Sequence, residues 1–479
     1  MSELPRRRVV VVGGGITGLA TAYALGKGEK APQVTLLESR QRLGGNIQTE
    51  RVDDFVIDPG PDAWVVNKPD ASALAKEIGL EAELVSTVEA NRRVYIAWDG
   101  ELHAMPEGLM LGIPTEVMPF LQTPLLSLEG KLRAGFDLFI PPRRFYGTED
   151  ESVADFVSRR LGEEVSSRLV APLLGGIFAG DAGAISVRAS FASLVEAEAK
   201  YGSLIRAMRA QRKARGGATT RPAPSAFVSM ASGMGKLIDT LGERVAKTAD
   251  VRLGRSVTSV DRAGGAAEAK GARFALTLDG GEVLFADDVV FAVPTRVAAA
   301  LTRTIDEVLA ERLSGLLGYS STAAVFLAFR RDDVTHPLDA TGFIVPHAPG
   351  DERALIAGTF VSSKWAGRAP AELPLFRAFL GGSRIHELLE RDDADLVRLA
   401  RRELGEFIGA TAEPVFARVY RHRLASPQPT VGHHARREKL DARLAETPGI
   451  HVGASGVEGV GIPDCIKQAK AIAARITAS

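Results

Sequence analysis

The sequence predicts an α/β fold. A dinucleotide-binding domain is built from separated stretches of chain and accompanied by an antiparallel-sheet domain and an inserted helical domain. Three observations predict it. Val9 to Val12 form an apolar run that ends in glycines, Gly13, Gly15 and Gly18 fall in GxGxxG spacing, and Leu19 to Leu25 continue with helical spacing. A second glycine-rich turn between a strand and a helix stands near the other end, in HVGASGVEGVGIPDCIKQ from His451. Between these two turns, a largely helical block running to about Ala210 gives way to strand-like runs.

The first turn has a defined chemistry. Its first glycine makes the tight bend, its second lets a pyrophosphate approach the backbone, and its third lets helix pack on strand. The helix start offers free N–H donors to phosphate. A second apolar run, Val34 to Leu37, ends in Glu38, twenty residues beyond Gly18, where a carboxylate meets a ribose hydroxyl. These features alone leave NAD and FAD open.

Composition narrows the class. Hydrophobic residues make up 45% and charged residues 25%, the mixture of a globular protein. Basic and acidic residues number 59 each, so no global field draws in nucleic acid or an acidic membrane. Cys465 is the single cysteine, which excludes an internal disulfide and fits a reducing compartment. The N-terminal MSELPRRRVVVV has no apolar leader segment, which makes the cytoplasm the expected location. Leu109 to Leu128 is the most apolar long stretch, but Glu116, Pro114, Pro119 and Pro124 interrupt it. It is expected to form short helices that face a membrane surface, wall a cavity or simply pack in the core. The eight histidines are scattered, and with no CxxC or HExxH no metal site is expected. No Ser/His/Asp arrangement marks a catalytic acid or base.

Along the chain, FVIDPGPDAW (55–64) reads as a turn, and VYIAWDGELHAMP (94–106) as a hairpin around Asp99–Gly100. Helices are expected over Ser152–Leu161 and Arg188–Ala210. Gln211–Ser225, basic and rich in glycine and proline, reads as a mobile surface loop. Strands resume at 251–260, 272–294 and 323–329, and a second, antiparallel sheet at 342–346, 354–360 and 374–382 would carry the substrate. The resulting division is 1–85, 226–300 and 440–479 for the nucleotide domain, 86–210 for the helical domain, 211–225 for the flexible loop and 301–439 for the substrate domain.

Glu38 with Arg42, Leu43, Gly44 and Gly45 completes ExxxRxGG, which resembles the signature of FAD enzymes of the amine oxidase superfamily. GIFAGD (176–181), SPQPTVGHH (426–434) and GASGVEGVGIPDCI (453–466) extend the likeness to the oxygen-dependent porphyrinogen oxidases of haem biosynthesis, closest to the soluble Gram-positive type. The resemblance covers nearly the whole chain. It implies an FAD site of the amine oxidase type made by both chain ends. Gly13, Gly14, Gly15, Ile16, Thr17, Gly18, Glu38, Ser39, Arg42, Gly44, Gly45, Asn46, Gly60, Pro61, Asp62, Ala63, Val257, Val460, Gly461 and Ile462 would line it. It implies six-electron oxidation of a porphyrinogen, with dioxygen as acceptor and hydrogen peroxide as product. No second GxGxxG is present for NADPH.

For the substrate, the likeness implies Phe360 packing on the macrocycle and Gly175 and Gly176 bordering its slot. The arginine that plant and animal relatives carry on the hairpin is Val94 here, which leaves Arg92, Arg93 and Lys68 as candidate carboxylate anchors. Further departures are Pro427, Gln428 and Pro429 in place of PQY, His422 in place of a tryptophan, and Phe178 in place of a tyrosine. The soluble Gram-positive likeness favours coproporphyrinogen III over protoporphyrinogen IX. Peripheral membrane contact and hand-over to ferrochelatase are further implications, while the oligomeric state stays open. Another flavoenzyme of the superfamily, a polyamine oxidase or carotenoid desaturase, is the alternative.

Overall fold

The computed structural model describes residues 6–28, 30–106, 109–110, 113–114, 116–143, 149–214, 225–269, 271–347, 351–382 and 385–478. The four valines of the first turn become a buried strand, Arg8–Val12, in the middle of a parallel sheet. Across this sheet the order is Ala249–Leu253, Gln33–Glu38, Arg8–Val12, Asp288–Phe291 and Ile450–Val452. Strands from both ends and the middle of the chain therefore share one layer. Helix Ile16–Leu25 packs against the C-terminal helix Ile462–Ala478, so the two ends of the chain fold as a unit.

A second sheet runs Phe416–Gln428, Gly318–Ala328, Leu375–Leu380, Leu355–Phe360, Ala340–Ile344, Arg93–Trp98 and Glu101–Ala104. Its neighbours are antiparallel except Ala340–Ile344 and Arg93–Trp98, which run parallel. Here the structure departs from the expected division. The hairpin placed at the start of the helical domain pairs with Ala340–Ile344 and extends the substrate sheet instead. Asp99 and Gly100 both have positive φ, +53° and +80°, as a two-residue hairpin turn requires.

The intervening helices form a separate core. Helix Val153–Leu161 starts where Ser152 accepts the N–H of Asp155. Helices Ala192–Tyr201 and Leu204–Ala214 are divided at Gly202, whose φ is +70°. The second of them carries residues 211–214, which were expected in a loop, and 215–224 lie outside the described residues. Within the interrupted apolar stretch, Val117–Gln122 is a short helix. In this domain Arg160 is fully buried but paired with Asp137 at 2.5 Å and Glu198 at 3.3 Å, so its charge is compensated. Among the described residues no helix is long and apolar enough to cross a membrane.

Candidate functional site

A cavity of about 900 Å³ lies between the parallel sheet and the second sheet. On its nucleotide side it is lined by Gly13, Gly15, Ile16, Thr17, Glu38, Ser39, Arg40, Gly44, Gly45 and Asn46. The glycines of the first turn divide into two roles. A Cβ on Gly18 would lie 1.9 Å from the Gly13 carbonyl oxygen, so the helix can approach the strand only without a side chain there. A Cβ on Gly15 would meet nothing within 4 Å, since it opens onto the cavity. The protein itself leaves that space free.

Glu38 is buried, and its carboxylate accepts the N–H groups of Gly14 and Arg40, each at 2.8 Å. These bonds fix the carboxylate at the cavity wall. Gly14 and Gly18 do not line the cavity, because they hold Glu38 and the helix in place. Arg42 also acts from behind, donating to the carbonyls of Leu43 at 3.1 Å and Gly45 at 2.8 Å and so bracing the loop that carries Gly44 and Gly45. Val257 lines the cavity beside Arg255 and Ser256.

The C-terminal turn closes the opposite wall with Ala454, Ser455, Val460, Ile462 and Cys465. Ser455 donates to the Val460 carbonyl at 2.9 Å, and the Gly461 N–H donates to Asp464 at 3.1 Å. Gly461 thus shapes the helix start without lining the cavity. Two helix N-termini converge on one space, the arrangement that favours anionic groups. Cys465 lies in the first turn of the C-terminal helix, where the dipole favours a thiolate, yet burial wins and pushes its thiol up to about 11.

The inner wall combines the segment 59–63 with one face of the second sheet. Pro59, Gly60, Pro61, Asp62 and Ala63 meet Thr322, Ala357, Thr359, Arg377, Phe379 and His422. Burial opposes ionisation of Asp62, but Lys364, Arg377 and the Trp365 N–H outweigh it and hold the carboxyl well below the usual range. Lys364 lies 2.8 Å from the Asp62 carboxylate and Trp365 3.0 Å. Two side chains of the sheet grip consecutive carbonyls of this segment. His422 Nε2 donates to Pro59 at 3.0 Å, and Arg377 donates to Gly60 at 3.1 Å. A carbonyl only accepts, so Nε2 carries the hydrogen. Gln428, beside the departing prolines, donates to the Phe178 carbonyl at 2.8 Å and ties the cavity-lining Phe178 to the sheet.

Burial is the largest cause lowering the pKa of His422, and likewise of His336 and His433. A histidine kept neutral in the fold binds fewer protons than it does unfolded. The stability this gives is present above the unfolded value near 6.5 and is lost as pH falls below it. Thermal melts are expected to be flat above about pH 7 and to fall between about pH 6.5 and about pH 5. An unchanged midpoint down to pH 5 would contradict the burial of these rings.

The expected substrate residues fare differently. Gly176 lines the cavity from helix Ala171–Phe178, and Gly175 lies beside it on the same helix. Phe360 does not reach the cavity. Side chains alternate along the strand, so Thr359 faces the cavity and Phe360 faces the other side, fully buried among His336, Phe343 and Phe376. Arg92 and Arg93 stand at the start of the hairpin, outside the cavity wall, and Arg93 pairs with Asp339 at 3.1 Å. Lys68 is half exposed and pairs with Asp464 at 2.8 Å. Arg377, Phe379, Thr359 and Thr322 carry no sequence motif. The available signal is the arginine inside the apolar strand LFRAFL, since a charged residue is seldom buried without a partner.

A parallel nucleotide sheet closed by both chain ends, with a cavity running on to an antiparallel sheet, defines a flavin-dependent oxidoreductase. The chain belongs to the family of flavin containing amine oxidoreductases, whose model matches residues 16–477. Within it the chain groups with the porphyrinogen oxidases. It is 34% identical over 472 residues to a coproporphyrinogen III oxidase of Bacillus subtilis, covering 97% of each chain. It is 29% identical to a chloroplastic protoporphyrinogen oxidase of Arabidopsis thaliana, covering 96% of this chain and 86% of that one. A solved structure from Exiguobacterium, assigned as a protoporphyrinogen oxidase, matches with a TM-score of 0.85 at 32% identity over 99% of both chains. FAD is the cofactor. The space before Gly15, the fixed Glu38 carboxylate and the paired helix starts fit its pyrophosphate and ribose.

Proposed function

We propose that the protein oxidises coproporphyrinogen III to coproporphyrin III at FAD, with dioxygen as the final acceptor and hydrogen peroxide as product. The observation that carries this reading is the continuous cavity joining the dinucleotide turn to the face of the second sheet. On the side of the second sheet Phe178 and Phe379 offer apolar walls to the macrocycle, while the side with Gly15 and Glu38 would take the dinucleotide. The bound flavin supplies the electron chemistry. The protein's part is to position the macrocycle and exclude water. The 34% identity to a coproporphyrinogen III oxidase, against 29% to the plant protoporphyrinogen oxidase, supports the choice of substrate.

The test is a comparison of kcat/KM on the two porphyrinogens in air, reading porphyrin fluorescence and peroxide together. Higher efficiency on coproporphyrinogen III is expected. Equal or higher efficiency on protoporphyrinogen IX reverses the choice.

Peripheral contact with a membrane surface, and hand-over of product to a ferrochelatase, belong to the same proposal. The contact is supported by Leu128, Leu132, Phe136 and Phe139, which recur at helical spacing and are 58–78% exposed, with Met118 and Leu121 exposed nearby. A cytoplasmic location completes the reading.

A further inference from the structure

We infer that Arg377 is the residue that binds a substrate carboxylate and so gives the site its preference for a tetracarboxylate porphyrinogen. This rests on the porphyrinogen reading above. Three observations carry it, beginning with charge. Asp58, the neighbouring carboxylate, is matched by Arg368 at 3.0 Å, which leaves Asp62 with Lys364 at 2.8 Å and Arg377 at 3.8 Å. His422, close enough to feel the Arg377 charge, is held neutral first by burial and further by Arg377 and Arg40. One carboxylate faces two cations, so the inner wall carries a net positive charge. Buried charges are ordinarily matched one to one, and a wall that sets two cations on one carboxylate is shaped for a further anion.

The second observation concerns hydrogen bonds. A guanidinium has five N–H groups. Among the described residues, that of Arg377 makes one hydrogen bond, to the Gly60 carbonyl at 3.1 Å, and its Nε is sealed from water without a partner. A side chain only 12% exposed with most of its donors unspent calls for an acceptor that the protein does not provide.

The third observation is place. Arg377 sits between Thr359 on the neighbouring strand and Phe379 two residues on, whose ring centroid is 5.5 Å from the guanidinium. All three line the cavity, whereas Arg92, Arg93 and Lys68 do not. A carboxylate at Arg377 would take the free Nη donors in a charge-assisted contact while an aromatic edge covers the apolar part of the ligand.

The test is a cycle of one substitution against one chemical change, using the FAD-loaded enzyme with coproporphyrinogen III and its tetramethyl ester. Arg377→Gln is expected to lower kcat/KM for the acid on the order of 10²-fold, mainly through KM, the size of a lost charge-assisted hydrogen bond. The loss on the ester should be much smaller, limited to what the bond to the Gly60 carbonyl contributes, because the ester has no carboxylate to lose. Titration with coproporphyrin III, followed by perturbation of the flavin spectrum, should show the same weakening of Kd without turnover. Equal losses on acid and ester would place Arg377 in the service of the flavin or the fold and overturn the inference, as would no loss on either. If Arg377→Gln does not accumulate, Arg377→Lys keeps the charge with a single-point contact. It is expected to lose about tenfold on the acid and clearly less on the ester. A wild-type enzyme that oxidises neither compound defeats the porphyrinogen reading itself, and with it this assignment.

Discussion

Gly15→Val is expected to accumulate as a folded, colourless protein. The backbone at Gly15 has φ −72° and ψ 180°, an extended conformation that a β-branched residue adopts readily. A Cβ there meets no protein atom within 4 Å, so the chain has room for the new side chain. As the residue that begins helix Ile16–Leu25 it makes no side-chain cap, so the exchange costs the helix at most about 1 kcal/mol. The cofactor has no such room, because the valine occupies the space where the pyrophosphate meets the helix start. Far-ultraviolet circular dichroism and the melting midpoint of the unliganded protein are therefore expected to match wild type, with no flavin absorbance after purification. Retention of stoichiometric yellow FAD would contradict the assignment of the turn. Gly18 supplies the control, since any side chain there strikes the Gly13 carbonyl and disrupts strand and helix together.

Asp62→Leu is the largest expected loss of stability. It removes the carboxylate between Lys364 and Arg377 and the acceptor of the Trp365 N–H. All three charged side chains are less than one-fifth exposed, so solvent screens them weakly. Breaking one partner from a buried ion pair costs about 3–5 kcal/mol, because the remaining charge stays uncompensated. Here two cations are left facing each other. The denaturant midpoint should fall accordingly, and Asp62→Asn, which keeps an acceptor for Trp365, should fall less. A leucine variant as stable as wild type would show that the cluster is solvated and would also remove the charge argument for Arg377.

The contrast between these positions and Phe360 shows what was legible in the sequence. The nucleotide turn, Glu38 and the C-terminal turn could be read because their chemistry is local: a glycine at a fixed spacing, or a carboxylate at the end of a strand. The two central strands of the parallel sheet follow from pieces of that kind, whereas the expected strand 251–260 divides into Ala249–Leu253 in this sheet and Val257–Arg262 in another. The wall formed by the second sheet could not be read so directly. Which residues of ALIAGTF and PLFRAFL face the cavity depends on strand parity, and a shift of one residue exchanges Thr359 for Phe360. Arg377 and His422 acquire their roles only by folding onto the carbonyls of Gly60 and Pro59, more than three hundred residues earlier. The hairpin was recognised from Asp99–Gly100, but its docking beside Ala340–Ile344 is a long-range pairing that no local pattern records. Arg92, Arg93 and Lys68 were attractive as cations near the right segments, yet they stand outside the cavity, with Arg93 and Lys68 spending their charge on Asp339 and Asp464.

The central claim is that a porphyrinogen held in this cavity delivers its electrons to the bound flavin. Anaerobic mixing of the purified flavoprotein with coproporphyrinogen III, followed by rapid-scan absorbance, tests it without any contribution from dioxygen. The account predicts bleaching of the flavin band at a rate that saturates with porphyrinogen concentration, followed by full recovery of the band on admission of air. A flavin that stays oxidised in the presence of excess coproporphyrinogen III, or that bleaches with a polyamine instead, would contradict it.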